Sequence, residues 1–105
     1  MDMRFRFLGG ADAIGRMGMT MSNSKGKNTL FEYGMSPTKP PEYPLEAPRI
    51  DNIFLTHCHL DHCGMIPKVC GRDNCELFAT PLTAEVSEIM MTDSLKFAKS
   101  ENNPL

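Results

Sequence analysis

Four side chains able to ligate a divalent cation fall within six consecutive residues, His57-Cys58-His59-Leu60-Asp61-His62, and they include every histidine of the chain. In an extended backbone residues i and i+2 project to the same side. His57 and His59 can therefore converge on one cation. Asp61 and His62 lie just beyond, where the chain must bend, and can face a second. Imidazole nitrogens suit zinc, and also iron or nickel; a carboxylate widens the choice toward manganese. Two cations about 3.5–4 Å apart can share a bridging hydroxide and activate it for attack on an ester or phosphodiester. A lone histidine at a strand end is more often an ordinary polar residue. Three of them with an aspartate at this spacing read as a ligand set, and Gly64 gives the backbone room beside it.

The elements that must position this cluster can be read along the chain. Met3, Phe5 and Phe7 alternate with Arg4 and Arg6, which predicts a half-buried strand ended by Gly9-Gly10. Met17, Met19 and Met21 alternate again and predict a second strand within residues 15–21. Residues 22–27 form a polar turn with Gly26, and residues 28–33 a third strand, completing a meander of hairpins. Residues 36–48 hold five of the eight prolines, Pro37, Pro40, Pro41, Pro44 and Pro48, and read as an extended surface loop. Within residues 50–56 the run Ile53-Phe54-Leu55 lacks alternation and suits a strand buried on both faces, with the histidine cluster following its C-terminal end. Residues 76–79 predict a further strand. Thr80-Pro81 opens a helix, with Thr80 as N-cap and Pro81 at the first helical position. Leu82, Val86, Ile89, Met90 and Phe97 give that helix an apolar face, interrupted by Asp93. The end, residues 101–105, is polar.

With 105 residues the chain is one small domain at most. A hydrophobic fraction of 41% and a charged fraction of 23% are ordinary for a soluble globular protein. The net charge of -2 announces no nucleic-acid-binding surface. The N-terminus lacks the apolar run of a secretion signal, and no stretch approaches the roughly 20 apolar residues that span a bilayer. A cytoplasmic protein without a membrane partner is the expectation. In that setting Cys58, Cys63, Cys70 and Cys75 are expected as buried or surface thiols; a zinc site from Cys63, Cys70 and Cys75 is the alternative. The nine methionines are read as adaptable core filler.

Residues 56–64, Thr-His-Cys-His-Leu-Asp-His-Cys-Gly, resemble the His-x-His-x-Asp-His signature of the metallo-β-lactamase superfamily. Phe7-Leu8-Gly9-Gly10-Ala11, followed by Ile14-Gly15-Arg16, is similar to the opening of its β-CASP ribonuclease branch. That branch includes archaeal relatives of the polyadenylation-cleavage nuclease and bacterial ribonuclease J. Thr80-Pro81-x-Thr83, with Asp93-Ser94 later in the helix, and Tyr33-Gly34-Met35-Ser36-Pro37 extend the similarity across nearly the whole chain. The resemblance implies an α/β (α+β) fold, the N-terminal half of an αββα sandwich, with a mixed sheet opening in antiparallel hairpins. It implies two divalent metal ions, with zinc the expected ion. His57 and His59 would hold the first, Asp61 and His62 the second, and Asp61 would also orient the attacking water. RNA is the implied partner and substrate, and a homodimer of the full-length protein is an open expectation.

This sequence departs from that family in two ways. The strand before the motif usually carries an Asp supporting the metal loop, where this chain has Glu32, one methylene longer. The family also draws a later His, a bridging Asp and a final His, and no His follows His62. Residues 1–105 are therefore expected to be a partial metallo-β-lactamase domain from the N-terminal portion of a longer enzyme, inactive alone and prone to aggregate or stay molten through an exposed sheet face. A thioester, lactam or lactone hydrolase of the same fold and a non-enzymatic zinc-binding module are the competing functions.

Overall fold

The alternating segments of the first third do pair into a meander. The computed structural model describes residues 3–11, 15–38 and 40–100, the side chains of 97–100 excepted; Ile14, the Phe97 side chain and the polar tail 101–105 lie outside the described residues. Strands β1 (Met3–Gly9), β2 (Gly18–Asn23) and β3 (Asn28–Tyr33) run antiparallel in sequence order. The β2–β3 turn closes on the Asn23 carboxamide oxygen, which accepts the Lys25 and Lys27 amides at 2.9 and 3.0 Å. Gly26 there has φ +78°, a conformation that costs a glycine nothing.

After β3 the proline-rich segment crosses the surface, with one isolated bridge between Ser36 and Glu42. It is fastened by Tyr33, whose hydroxyl donates to the Leu45 carbonyl at 2.7 Å and accepts the Ala47 amide at 3.0 Å. Strand β4 (Asn52–Phe54) then lies parallel to β3. Helix α1 (Leu60–Cys63) and helix α2 (Ile66–Arg72) carry the crossover to β5 (Glu76–Phe78), parallel to β4, and helix α3 (Pro81–Ser100) follows. The result is a mixed five-stranded sheet, ordered β1-β2-β3-β4-β5, with helices. That is the α+β class and the antiparallel opening the sequence predicts.

The two faces of the sheet differ. On one, Thr20, Leu30 and Ile53 are in register and buried. Leu30 and Ile53 join Cys63 of α1, Ile66 and Val69 of α2, and partly buried Met90 and Met91 of α3 in one core. On the other face Phe7, Met19, Phe31, Phe54 and Phe78 form a row across all five strands. The Phe31, Phe54 and Phe78 rings stack at centroid distances of 5.6 and 4.9 Å. Nothing among the described residues covers this row.

Several expectations are corrected by that arrangement. The apolar side of β1 is not half-buried, since Met3, Phe5 and Phe7 all belong to the open face and are exposed. The Ile53-Phe54-Leu55 run is not covered on both sides: Ile53 and Leu55 are buried, but Phe54 is 41% exposed. Of the α3 face, Val86 and Met90 turn inward, whereas Leu82 and Ile89 are exposed. The inward stripe instead includes Ser87, buried, and Ser94, whose hydroxyl lies 3.7 Å from the Met35 sulfur. Small side chains let the helix approach closely, so its packed stripe is narrow and not its most apolar one. Met35 and Met65 fill the core as expected, but Met3 is exposed and Met19 sits on the open face. Helix α2 was not signalled by periodicity; it is short and contains Pro67 and Gly71.

Candidate metal centre

The histidine motif leaves the C-terminal end of β4 as extended chain and turns into α1. His59 is the N-cap, extended at φ -72° and ψ 150°, and its carbonyl accepts the His62 and Cys63 amides at 2.9 and 3.0 Å. This bend brings the motif's rings together. The His57 and His62 rings stack with centroids 4.8 Å apart, and His57 meets His59 edge-on at 5.7 Å. His57 and His59 are exposed; Asp61 and His62 are half-buried.

Strand β3 supports the motif from beneath. Opposite Gly18 and Met19 the β2–β3 register slips by one residue, so Glu32 is a bulge, with φ +62°. A bulge re-aims a side chain that plain alternation would send elsewhere. Here it sends the Glu32 carboxylate to the metal loop. One oxygen accepts the Thr56 amide at 2.7 Å and the other lies 2.8 Å from Nδ1 of His62. A carboxylate only accepts, so Nδ1 carries the hydrogen and the neutral ring keeps its lone pair on Nε2. The left-handed backbone at Glu32 costs roughly 1–2 kcal/mol, offset by two charge-assisted bonds from one carboxylate.

Nε2 of His62 faces Oδ2 of Asp61 at 3.8 Å. That gap is too long for a hydrogen bond, and its length is compatible with two ligands of one cation, whose bonds would each be about 2.0–2.2 Å. The donor types and the freed Nε2 thus fit a divalent metal. Among the described residues no three such groups lie close enough to hold one ion between them. The loop assembles donors side by side without closing a coordination sphere.

Two contacts invisible to motif reading seat the loop. The Met17 amide donates to the Asp61 carbonyl at 2.9 Å, and the Met35 amide to the Leu60 carbonyl at 2.8 Å. Between them Gly34 passes so close to the Asp61 carbonyl and the His62 amide that a Cβ would overlap both. The Tyr33-Gly34 pair ending a strand was the only available signal.

The cysteines divide. Burial, and then Cys58, push the Cys63 thiol up to about 11, and its sulfur donates to the Cys58 carbonyl at 3.3 Å. Cys63 is therefore an inert core thiol. Cys70 and Cys75 face each other, sulfur to sulfur, at 3.8 Å. No three-cysteine cluster forms among the described residues.

At the opposite end of β4 from the histidine motif, Asp73 organises the end of α2. Its carboxylate accepts the Ile50 amide at 2.9 Å and Arg72 at 2.7 Å, and Arg72 also donates to the Ala47 carbonyl. The Arg72 guanidinium, then the Ile50 amide, hold the Asp73 carboxyl below the usual carboxylate range. No helix among the described residues is long and apolar enough to cross a membrane.

Comparison with known proteins adds an independent line. The metallo-β-lactamase superfamily pattern matches residues 21–88. A probable RNase of Methanocaldococcus jannaschii is 29% identical over 98% of this chain and 25% of its own length. An RNase J-like protein of the same organism is 30% identical, over 90% of this chain and 22% of its own. The cleavage and polyadenylation specificity factor 73 of Drosophila melanogaster is 30% identical, over 91% and 15% respectively. The chain thus spans a quarter or less of the length of these relatives.

Proposed function

The chain belongs to the metallo-β-lactamase superfamily, and from that premise we propose that it forms the N-terminal part of the metal-binding domain of a β-CASP-type ribonuclease, acting on RNA in the cytoplasm. His57 and His59 would hold one divalent cation, and Asp61 and His62 a second, with zinc the proposed ion. The remaining ligands would come from sequence outside these 105 residues, because no histidine follows His62. When bound, such cations stabilise charge on the phosphodiester and lower the pKa of the attacking water.

The protein's own groups divide the rest of the work. Glu32 holds the His62 ring by Nδ1 and fixes the loop through the Thr56 amide. Gly34 and the Met17 amide fix the Asp61 backbone, so its carboxylate is presented at a constant place. Asp61 accepts a hydrogen bond from the attacking water and orients it toward phosphorus. The observation that carries this reading is the Glu32 carboxylate shared between loop amide and imidazole, because it leaves Nε2 free beside a second donor. The choice of RNA as substrate is supported by the names of the relatives.

The test compares substrates on the zinc-loaded full-length protein, which supplies the remaining ligands. Labelled single-stranded RNA is expected to be cleaved and thioesters and lactones left intact. Asp61→Asn is expected to lower kcat by about 10²–10⁴-fold. Turnover of a thioester with RNA untouched would overturn the ribonuclease reading. One tightly held zinc per 105-residue chain without turnover would make it a structural module.

A further inference from the structure

Cys70 and Cys75 stand outside the metal loop, Cys70 near the end of α2 and Cys75 immediately before β5. Their sulfurs are 3.8 Å apart, with Cys70 exposed and Cys75 partly so. The turn between them is held without their help. The Asp73 amide caps α2 on the Val69 carbonyl at 2.7 Å, and the Asp73 carboxylate binds the Ile50 amide. Cys70 is on the surface, so a small reagent can reach the pair. Two accessible thiols are thus brought face to face by bonds that do not depend on them.

We propose that Cys70 and Cys75 form a reversible disulfide, a redox modification site that takes low-molecular-weight disulfides such as oxidised glutathione as oxidant. One cysteine thiolate attacks a sulfur of the reagent, its S–S bond breaks, and one glutathione thiolate leaves. The second cysteine then attacks the mixed disulfide and releases the other glutathione. Two electrons pass from the pair to the reagent, and two thiol protons leave with them or go to solvent. The bond ties the start of β5, an edge strand whose three residues are all exposed, to a helix anchored in the core by Ile66 and Val69. Loss of water around its sulfur, and then the Cys75 sulfur, raise the Cys70 thiol to about 11. Thiolate is scarce at neutral pH, and exchange accelerates as pH rises.

Trypsin reads the bond directly, because Arg72 lies between the two cysteines. The monomeric fraction of the protein is incubated with oxidised glutathione, its remaining free thiols are blocked by alkylation, and it is digested without reductant. The peptide 69–72 is expected to appear joined to 73–96 and to separate on reduction. Closure of the mixed disulfide, the second step, is expected to be at least tenfold faster in native protein than in urea, and Cys70→Ser is expected to stop at a stable glutathione adduct on Cys75. Overturning results are glutathione adducts on both cysteines without a link, pairing with Cys58 or Cys63, links between two chains, or equal closure rates with and without urea.

Discussion

The two faces of the sheet use the same five strands and reach opposite ends. On the covered face Leu30 and Ile53 are sealed from water by α1, α2 and α3, and the metal loop grows from that side through contacts with β3. The open face is the more aromatic of the two, yet Phe5, Phe7, Phe54 and Phe78 remain 41–60% exposed there. Covering such rings gains on the order of 1 kcal/mol each at about 25 cal/mol per Å². An apolar row of this extent on a monomer marks a surface that is meant to be covered. Apolar content, then, tells how strongly a face wants a partner, and not whether one lies within the same stretch of chain.

Substitutions on either side of the sheet can break this contrast. Leu30→Ala is expected to lower stability by about 2–5 kcal/mol in urea unfolding, as for large-to-small changes in a packed core. Phe54→Ala, in the adjacent strand but on the open face, should cost less than half as much. Equal losses would erase the distinction between the faces. At the edge of the covered face, Glu32→Gln should raise the zinc dissociation constant of the metal site 10–100-fold in chelator competition. An unchanged constant would mean that the carboxylate only braces the Thr56 amide. On the open face, replacing Phe7, Phe54 and Phe78 together with Ser should shift the chain several-fold toward monomer in sedimentation velocity. Unaltered association would place the sticky surface elsewhere. The smallest effect concerns pH. Asp73 titrates below the ordinary carboxylate range, so its contribution to stability is present above about pH 4 and is lost as pH falls through its lowered value. Asp73→Asn should flatten the acid side of the stability profile, and an identical profile would remove the Arg72–Asp73 pair from the account.

Local signals account for what could be read in advance. The third strand, the proline-rich crossing and the Thr80 cap depend on neighbours within a few residues. The cap bond is made, from the Thr83 amide to the Thr80 hydroxyl at 3.2 Å. The histidine cluster stood out because its candidate donors are adjacent in sequence, and Glu32 because a family resemblance pointed to that strand. Coverage was not legible: alternation separates Phe7 from Arg6 but does not say which side meets a helix. The outward turn of Leu82 and Ile89 has the same origin, since a helix packs by shape through Ser87 and Ser94 as well as by apolarity. The bulge at Glu32 and the close pass of Gly34 under Asp61 are long-range features with only weak local marks.

The pairing order β1-β2-β3 before β4 also bears on synthesis. Hairpin contacts close over short spans, whereas β3 must wait for β4 across the proline-rich crossing, and longer loops are slower to close. A nascent chain can complete the meander while the imidazoles are still inside the ribosomal tunnel. Glu32 and Gly34 precede His57 in the chain and leave the tunnel before it. If the proposed site holds metal, a support made first would shorten the interval in which loose histidines could take the wrong ion.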